Sequence, residues 1–541
     1  MNDDPEWFKP KSIIHFDRKC SYERVLEYVS NPKNIEKHSF YPFIHFGLIK
    51  SKYKREKSDD NKKGKLVPEL KKRNISYASH LDGHIFSFYT YKLREEYEAL
   101  LEKEGCNESV IAYRKLEKSN VDFACDAFKK LKELCETNEQ SNFISICYDI
   151  KGFYDNLDHK ILKEQLCDVL KVAKLPLDYF KIYKALTTFS WVDKENLLST
   201  LGLNKRRLRS IHCYCENGEE FRNKIRGNNL IKKNDEKFGI PQGSSISPLF
   251  SNIYMLPFDR EMTKYAKEIG AFYQRYSDDI LWICEQSHFV VSQQKIQEEI
   301  SKLLLKINEE KTKESLFKYS NNKIENLPLK DNKITPLEYL GLMFNGESCF
   351  IKNQTLSRYY VKLTNFIKRS KRFAAYSKKD NGKIYLRKLY NRFSHLCKEK
   401  DKKTNFILYA RNARRKLEEE GLKSGISHQI KNHWKFIHQQ LRGNKIMEVE
   451  VIGVTRTFGK NKEGKETDFV KLFILQTIKG SKRKELQEEG VGQKAEDVYV
   501  DISLYDKLKE LTYPCHLRLT TETDFSHGNM VQKITSFEEI K

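Results

Sequence analysis

The stretch that decides the fold is Phe272-Tyr-Gln-Arg-Tyr-Ser-Asp-Asp-Ile-Leu-Trp-Ile-Cys284, in which two adjacent carboxylates interrupt two apolar runs. Apolar and aromatic residues on both sides are typical of buried β-strands, and the break at Ser277-Asp278-Asp279 predicts a hairpin turn. Two neighbouring carboxylates at a tight turn repel each other and resist burial unless a cation neutralises them. A lone Asp-Asp turn is usually an exposed hairpin, so it indicates a site only when other carboxylates join it.

Asp149 is such a carboxylate, because it ends another apolar run, Phe143-Ile-Ser-Ile-Cys-Tyr-Asp149. Carboxylates that converge from strand ends supply the hard oxygen ligands that Mg²⁺ prefers. Two such ions about 4 Å apart activate an attacking hydroxyl and stabilise a departing pyrophosphate. We therefore expect Asp149, Asp278 and Asp279 to hold two Mg²⁺ ions, with Mn²⁺ as the alternative. Asp155 is interpreted as an ordinary helix N-cap.

Three further motifs follow in a fixed order: Gly239-Ile-Pro-Gln-Gly-Ser-Ser-Ile-Ser-Pro248, Asn308-Glu-Glu-Lys-Thr312 and Glu338-Tyr-Leu-Gly-Leu342. Together with the two acidic motifs they resemble the reverse transcriptases. The match is to the bacterial branch, which comprises group II intron maturases, retrons and defence-associated, abortive-infection-like enzymes. The resemblance implies an α+β right-hand polymerase fold with fingers, palm and a helical thumb.

The resemblance implies roles for the acidic residues and their neighbours. Asp149 and Asp278 match the principal metal ligands, with Asp279 beside them, in an RNA-directed DNA polymerase that consumes dNTPs. Lys311 matches a lysine that protonates the departing pyrophosphate, although a surface lysine at a helix end is the alternative. Tyr154 falls where an aromatic ring lies under the incoming sugar and excludes a 2′-hydroxyl; the alternative is a core aromatic.

The resemblance also assigns substrate contacts. Arg114 and Lys115 close a strand over 109–115 and match cations that grip the triphosphate, with an exposed strand end as the alternative. Gln242 and Gly243 match the loop that packs against the nascent base pair, where glycine permits close backbone approach. Leu340-Gly341 matches the primer grip, and a purely structural turn is the alternative there.

The charge distribution predicts a polyanionic partner. The chain has 99 Lys and Arg against 75 Asp and Glu, a net of +24. Residues 355–442 hold 24 of those cations and only 6 acids. Because each neutralised phosphate releases counterions, so uneven a balance favours nucleic-acid contact along this helical segment. Its interleaved aromatic residues are expected to belong to the core.

Four domains are expected: an N-terminal extension with a basic loop (1–75), fingers and palm (76–350), a basic thumb (351–444) and a β-rich domain (445–541). The last is interpreted as a small β-barrel, of oligonucleotide-binding (OB) type in one interpretation, with faint resemblance to single-strand DNA-binding proteins of filamentous phages. Its 16 cations and 17 acids argue against strong phosphate binding. An oligomerisation or partner-docking barrel is the equal alternative.

Several local elements are also predicted from periodicity. We expect helices over 92–104, 122–136, 158–172 and 292–307, and one that the loop at 239–243 opens and that runs to about 269. Residues 51–75 form a polar, Lys-rich stretch without an apolar period and are interpreted as an exposed loop. Residues 196–237 are expected to form a polar connection, inserted or mobile. A strand pair is expected within 334–350.

Further features of the sequence exclude several classes of protein. No apolar run approaches the roughly 20 residues of a membrane span, and the acidic N-terminus predicts no secretory signal. The 12 single cysteines are typical of reduced thiols, so we expect a cytoplasmic protein. No second acidic constellation indicates RNase H, and no Cys/His motif indicates an intron endonuclease.

We therefore expect a stand-alone enzyme of bacterial anti-phage defence that copies a dedicated non-coding RNA into DNA. It acts alone, as a homo-oligomer, or with a second protein from the same locus. Two alternatives stay open. One is a template-independent or protein-primed nucleotidyl transferase, and the other is a catalytically idle scaffold that binds RNA.

Overall fold

The computed structural model describes residues 5–55, 66–204, 206–330, 332–376, 384–397, 405–442, 445–460, 466–477, 481–482, 487–488, 493–526 and 529–540. The chain forms two compact units, one of residues 1–352 with 415–424, the other of residues 353–414 with 425–541. Within the described ranges, no helix is long and apolar enough to cross a membrane. Helices and largely antiparallel sheets occur in both units, which confirms the expected α+β class.

The first unit contains helices and three sheets in mixed order. Its helices are α1 Tyr22–Val29, α2 Pro32–Lys37, α3 His80–Lys103, α4 Asn120–Thr137, α5 His159–Val169, α6 Leu177–Thr187, α7 Lys194–Thr200, α8 Gly218–Phe221, α9 Ser247–Tyr254, α10 Leu256–Glu268 and α11 Phe289–Lys302. Its strands are β1 Phe43–Arg55, β2 Leu66–Tyr77, β3 Asn142–Asp149, β4 Ser190–Asp193, β5 Ile231–Lys233, β6 Phe272–Tyr276, β7 Asp279–Glu285, β8 Lys313–Ser320, β9 Lys323–Lys330, β10 Lys333–Ile334, β11 Leu337–Tyr339, β12 Leu342–Phe344 and β13 Cys349–Ile351.

The central sheet has six strands in the order β10-β9-β8-β3-β7-β6. The strand β3 lies in its interior, antiparallel to both β7 and β8. Because such a strand is covered on both faces, its sequence is apolar without strict alternation, and Ile144 and Ile146 are almost fully buried. The hairpin β6–β7 confirms the turn predicted at Ser277-Asp278-Asp279.

The N-terminal sheet has the order β2-β1-β4-β5 and corrects the expected loop at 51–75. Residues 51–55 and 66–75 belong to the long antiparallel hairpin β1–β2, and only 56–65 lie outside the described residues. Periodicity missed these strands because backbone hydrogen bonds form a ladder whatever charge the side chains carry.

The segment 196–237 is not an open connection. It contains α7, α8 and β5, and Tyr214, Phe221 and Ile225 pack with Phe16 and Ile44 in a small apolar cluster. The sequence is rich in Lys and Arg, which concealed the few apolar residues that form this cluster.

Helix boundaries differ from expectation in three places. The helix predicted from 92 begins at His80, where Ser79 caps it by accepting from the Asp82 amide. The helix expected to reach 269 is divided at Met255, next to Pro257. The helix expected to reach 307 ends at Lys302, and Leu304 then takes a left-handed conformation with φ of 55°. The strand pair expected within 334–350 is confirmed and extended by a third strand, β13.

The second unit joins a helical segment to a β-barrel, as expected from the sequence. Its elements are α12 Asn353–Tyr376, α13 Leu386–Phe393, α14 Phe406–Glu419 (which runs into the first unit at residue 415), α15 Ile426–Ile430, α16 His433–Arg442, β14 Lys445–Lys460, β15 Glu466–Thr477, β16 Ser481–Lys482, β17 Gln487–Glu488, β18 Gln493–Val500, α17 Tyr505–Lys509, β19 Cys515–Ser526 and β20 Asn529–Glu539.

The barrel closes in the order β14-β15-β18-β20-β19, which confirms the predicted β-barrel. Strands β18 and β20 pair in parallel and the other neighbours are antiparallel. Alternate residues of β15, namely Val470, Leu472 and Ile474, are fully buried in its core. In β20 polar residues separate Val531, Ile534 and Phe537, so the sequence contains no continuous apolar run that would indicate this strand.

Candidate active site

The strand register brings the three predicted carboxylates together. Asp149 is the last residue of β3 and is the Cα partner of Asp279, the first residue of β7. Just beyond this pair, the Ile150 amide donates to the Asp278 carbonyl at 3.2 Å. Two strand ends that are more than a hundred residues apart in sequence therefore present three carboxylates at one edge of the central sheet.

A buried polar network supports the turn that carries Asp278. Arg275 and Asp259 are fully buried and form an ion pair, with Arg275 Nε 2.7 Å from Asp259 Oδ1. Arg275 Nη1 also donates to the Ser277 carbonyl at 3.0 Å, and Ser277 has a left-handed φ of 59°. A non-glycine residue in that region is strained, so the arginine contact holds the turn in a conformation it would otherwise avoid.

The electrostatics of the turn favour a cation. Asp279 keeps part of its surface in solvent, yet desolvation and the charges of Asp278 and Asp149 raise the pKa of its carboxyl to about 6. Desolvation and the charge of Asp149 also raise the pKa of Asp278 above its ordinary value, while Lys311 and Arg73 oppose the rise. Carboxylates that resist ionisation for these reasons are stabilised by any bound positive charge.

Lys311 supplies one positive charge at this place. Its ammonium forms an ion pair with Asp149 Oδ2, and the Asn308 side-chain amide donates to the same oxygen at 3.3 Å. The Asn308 backbone amide donates to the Asp149 carbonyl at 2.7 Å, which fixes the short turn that carries Lys311. The structure thus places Lys311 at the carboxylates, and its predicted role as proton donor stays a prediction.

The donor set fits divalent cations. Within the described residues, no three His, Cys, Asp or Glu side chains converge closely enough to hold an ion as they stand. Asp149, Asp278 and Asp279 nevertheless share one sheet edge, and desolvation together with the charge of their neighbours raises the pKa of Asp278 and Asp279. All three offer hard carboxylate oxygens, the ligand type of Mg²⁺ and Mn²⁺, so these residues would hold such ions.

The loop with the Pro-Gln-Gly motif joins Tyr154 to the N-terminal hairpin. The Ile240 amide donates to the Tyr154 carbonyl at 2.9 Å, and the Ser76 amide donates to the Gln242 carbonyl at 2.8 Å. Gly243 has a φ of 119°, and a Cβ atom there would lie 2.5 Å from the Ser76 carbonyl oxygen. Glycine is therefore required at 243, because only it permits this conformation and this close approach.

Tyr113 is a site residue that the sequence did not reveal. The Tyr154 hydroxyl lies 3.4 Å from the Tyr113 hydroxyl, which in turn lies 3.3 Å from Ser277 Oγ. Tyr113 itself has a φ of 62°, unusual for a large residue. Burial raises the pKa of Tyr154, with Tyr113 as the next cause. These contacts connect the ring predicted to select the sugar with the turn that carries the predicted metal ligands.

Arg114 and Lys115 do not lie in a strand, contrary to the prediction for 109–115. Only Val110 makes an isolated bridge, and the left-handed Tyr113 turns the chain away from an extended path. The Arg114 side chain is 2% exposed and donates to Glu98 Oε2 at 2.9 Å and to the Val110 carbonyl at 2.7 Å. Lys115 forms an ion pair with Glu6. Both side chains therefore bind other residues of the protein. Their contact with the triphosphate stays a prediction.

Arg73 is a cation whose charge does act on the site. It belongs to β2, is exposed, and lowers the pKa of Asp278 through its charge. The sequence does not identify Arg73 as a site residue, because the Lys-rich pattern of residues 51–75 predicts a loop. The signal available was the run Lys71-Lys-Arg73 ahead of Asn-Ile-Ser-Tyr, a cationic stretch that enters an alternating one.

Leu340-Gly341 forms the tight turn between β11 and β12, with φ values of 45° and 91°. Beside it lies a cavity of about 300 Å³ that is also lined by Asp279, Tyr276 and Lys352. At its edge Glu338 accepts from Lys313 at 2.5 Å and from Lys352 at 2.7 Å. The turn and the Asp279 carboxylate thus line one cavity. The role of Leu340-Gly341 as a primer grip stays a prediction.

In the second unit, some aromatic residues of the helical segment are core residues as expected, but Phe373 of α12 is 62% exposed and is not one of them. Tyr359 is buried, stacks on Phe406 at 4.5 Å between ring centroids, and donates to the Phe393 carbonyl at 2.6 Å. The cations of the same helix α12 that are exposed are Arg358, Lys362, Lys368, Arg369 and Arg372. A row of exposed cations along one helix is expected where that helix contacts nucleic acid.

Comparison with known proteins identifies the domain that contains these residues. Residues 108–344 match the family described as reverse transcriptase (RNA-dependent DNA polymerase). That range contains every catalytic residue predicted here, and it establishes a reverse transcriptase domain. The expected right-hand polymerase fold with a C-terminal barrel is thereby confirmed. No curated protein matches the sequence significantly.

Solved telomerases show structural similarity. The truncated apo telomerase of Candida tropicalis aligns at 16% identity over 60% of this chain and 59% of that chain, with a TM-score of 0.34. The telomerase of Candida albicans in complex with a TWJ fragment of telomeric RNA aligns at 15% identity over 78% and 62%, with a TM-score of 0.33. The chain thus spans less than two thirds of the length of these telomerases, and at these TM-scores no further conclusion follows.

Proposed function

We propose that this chain, whose residues 108–344 form a reverse transcriptase domain, is an RNA-directed DNA polymerase. The observation that carries the proposal is the register of β3 and β7, which sets Asp149 against Asp279 with Asp278 in the adjoining turn. A buried ion pair beneath the turn keeps it in place. The strand register and the buried ion pair hold three carboxylates together although they repel one another. Such an arrangement does not favour stability and is expected where the carboxylates take part in a reaction.

The chain's own residues prepare the site for nucleotidyl transfer. Divalent ions on the three carboxylates would activate the primer hydroxyl and neutralise the charge of the departing pyrophosphate. Lys311 forms an ion pair with Asp149, and this proximity to the carboxylates supports the role assigned to it, protonation of the departing pyrophosphate. Arg73 adds positive potential for the triphosphate, since its charge already reaches Asp278.

Selection of the sugar is assigned to Tyr154. Its carbonyl is bound by Ile240 and its hydroxyl lies near that of Tyr113, so backbone and ring are both positioned. Because the ring is fixed in place, it overlaps with the 2′-hydroxyl of a ribonucleotide. The enzyme therefore uses dNTPs as substrates. Gln242 is held by Ser76 at the base of the hairpin β1–β2, where it packs against the new base pair.

The proposed biological role is anti-phage defence in the bacterial cytoplasm with a dedicated non-coding RNA as template. Support comes from the resemblance of the motifs to the defence-associated branch and from the β-barrel appended to the polymerase. The exposed cations of α12 supply a surface for the RNA or the product duplex.

The test is to supply the purified chain with a DNA primer on an RNA template of defined sequence and to sequence the product. The proposal expects DNA complementary to the template, made from dNTPs in the presence of Mg²⁺. Product that matches no template would instead establish untemplated synthesis.

The defence role needs a separate experiment. Expression with the native flanking DNA, purification at moderate salt and sequencing of bound RNA should give a single abundant RNA together with complementary DNA. A heterogeneous RNA population with no matching DNA would contradict the dedicated template while leaving the polymerase assignment intact.

A further inference from the structure

The outer surface of the barrel carries aromatic rings beside a lysine on one of its strands. Along β15 the buried residues Val470, Leu472 and Ile474 alternate with Phe469, Lys471 and Phe473, which are only partly buried. Because successive side chains of a strand point to opposite faces, the second set lies on the outside of the barrel. Two aromatic rings thus flank a lysine on an accessible face.

Neighbouring strands extend this arrangement. Lys471 is paired in register with Thr455 of β14 and with Tyr499 of β18, and Phe469 is paired with Thr457. The stacking face, as we call it, consists of Thr455, Thr457, Phe469, Lys471, Phe473 and Tyr499. It spans three adjacent strands of the barrel.

The rings and the lysine are close enough to act together. The ring centroids of Phe469 and Tyr499 are 5.9 Å apart with an interplanar angle of 66°. Lys471 Nζ lies 5.8 Å from the Phe469 centroid and 5.3 Å from the Tyr499 centroid. Tyr499 is 41% exposed, so its ring is open to a ligand.

The topology of the barrel indicates what such a face binds. Strands β14, β15, β18, β19 and β20 form a closed five-stranded barrel in which the first strand pairs with the second and the fourth, and the third pairs in parallel with the fifth. A short helix, α17, lies between the third and fourth strands. This is the Greek-key arrangement of OB folds, which bind oligonucleotides across their second and third strands. Here those are β15 and β18, which carry Phe469, Lys471 and Tyr499.

We propose that the stacking face binds single-stranded nucleic acid, with bases against Phe469 and Tyr499 and a phosphate at Lys471. Every base has a π-face, so stacking on aromatic side chains tolerates any sequence. The lysine between the rings complements the phosphate that joins two stacked bases.

The charge of the domain sets the character of the binding. Residues 445–541 contain 16 cations and 17 acids, so few phosphates can be neutralised there. Affinity must then come from stacking rather than from counterion release. The logarithm of the affinity is expected to fall with the logarithm of salt concentration with a slope of about −0.7, the value for one phosphate on a single strand.

The experiment uses the full chain with its polymerase site saturated by an unlabelled RNA–DNA primer–template. Binding of labelled oligothymidylate and oligouridylate is then measured by fluorescence anisotropy at several salt concentrations. The double variant Phe469→Ala/Tyr499→Ala is compared with Phe458→Ala, which removes a 76% exposed ring of β14 that is not part of the stacking face. Unfolding temperatures confirm that each variant is folded.

The proposal expects the double variant to bind roughly tenfold or more weakly than wild type, and Phe458→Ala to bind within about twofold of it. Preference for oligothymidylate would identify the DNA product as ligand, and preference for oligouridylate the RNA. Equal affinity of all three proteins, or absence of binding at this second site, would overturn the proposal. So would a dimer in wild type that the double variant dissociates, because the face would then bind a second copy. None of these three negative results bears on polymerisation, which is measured separately by primer extension.

Discussion

The central sheet and the barrel place their polar groups in opposite ways. Beneath the carboxylate turn the protein buries charge, because Arg275 and Asp259 are fully enclosed. In the barrel the described core residues are apolar, and the charged and aromatic groups of the stacking face lie outside. The carboxylate turn thus depends on charged groups that are buried from water, whereas the proposed binding face lies on the surface of an apolar core.

The largest effect is expected from removing the buried arginine. Arg275→Met leaves the Asp259 carboxylate buried without its partner, and breaking a buried pair in this way costs about 3–5 kcal/mol. It also releases the Ser277 carbonyl, so DNA synthesis should fall together with the free energy of unfolding measured in urea.

The matched control is Arg260→Met in the neighbouring helix α10. Arg260 pairs with Glu104 and Asp168 but is 32% exposed, so its loss should cost less than about 1 kcal/mol. Equal destabilisation by the two variants would show that the turn does not depend on buried charge.

The barrel should respond to the loss of apolar volume alone. Leu472 is fully buried, and Leu472→Ala should destabilise the second unit by about 2–5 kcal/mol. Limited proteolysis on heating should then release barrel fragments earlier than in wild type. At low temperature the extension rate on a short template should be unchanged, and a large loss of rate there would show that the barrel takes part in the chemistry.

An intermediate effect is expected at Tyr154. Replacing its ring by a smaller side chain, Tyr154→Val, opens space for a 2′-hydroxyl, so the ratio of kcat/KM for dCTP over CTP should fall roughly tenfold to a hundredfold. Tyr154→Phe keeps the ring and loses only the hydroxyl contact with Tyr113. Its ratio should stay within about threefold of wild type. An unchanged ratio in Tyr154→Val would remove the residue from sugar selection.

The smallest effect concerns the charge on Asp279. Its pKa of about 6 lies above the ordinary value of 3.8, so the folded protein binds this proton more tightly than the unfolded chain does. Stability from the protonated group is present below pH 4 and is lost as the pH rises through 6. Without divalent metal, Asp279→Asn should therefore unfold about 2 °C higher than wild type at pH 8, and at the same temperature at pH 4.

Asp235→Asn is the control for this pH effect, because Asp235 is exposed and outside the site. A higher unfolding temperature of Asp279→Asn than of wild type at pH 4, or an unchanged one at pH 8, would show that desolvation and the neighbouring charges do not raise the pKa of the Asp279 carboxyl. In wild type the same competition between proton and cation predicts that activity needs more Mg²⁺ as the pH falls below 6.

The sequence predicted those parts of the site that have a local pattern. Asp149 and the Asp278-Asp279 turn each follow or precede an apolar run, and a strand is visible in such a run. Tyr113 was not predictable as a site residue, because its contacts depend on a left-handed backbone and on residues more than forty positions away. Arg73 was missed for a related reason, since pairing between β1 and β2 is a property of two distant segments.

Asp155 shows how a local pattern can mislead. It was interpreted as an N-cap, but α5 begins at His159 and is capped by Asp158, whose side chain accepts from the Lys160 amide at 2.9 Å. Both aspartates precede the same helix, and only the three-residue turn Phe153–Asp155 ahead of it decides which one reaches the amides. Cap assignment between two such residues needs the backbone path, which the sequence does not specify.

The most direct test of the central claim is RNA-templated DNA synthesis by the wild type, Asp278→Asn and Asp155→Asn. Asp155 is an exposed carboxylate outside the turn and serves as the matched control. Wild type and Asp155→Asn should extend a DNA primer with the complement of the RNA, and Asp278→Asn should be slower by more than about a hundredfold. Synthesis by Asp278→Asn at the wild-type rate, or no templated DNA from the wild type, would contradict the assignment of this turn as the catalytic centre.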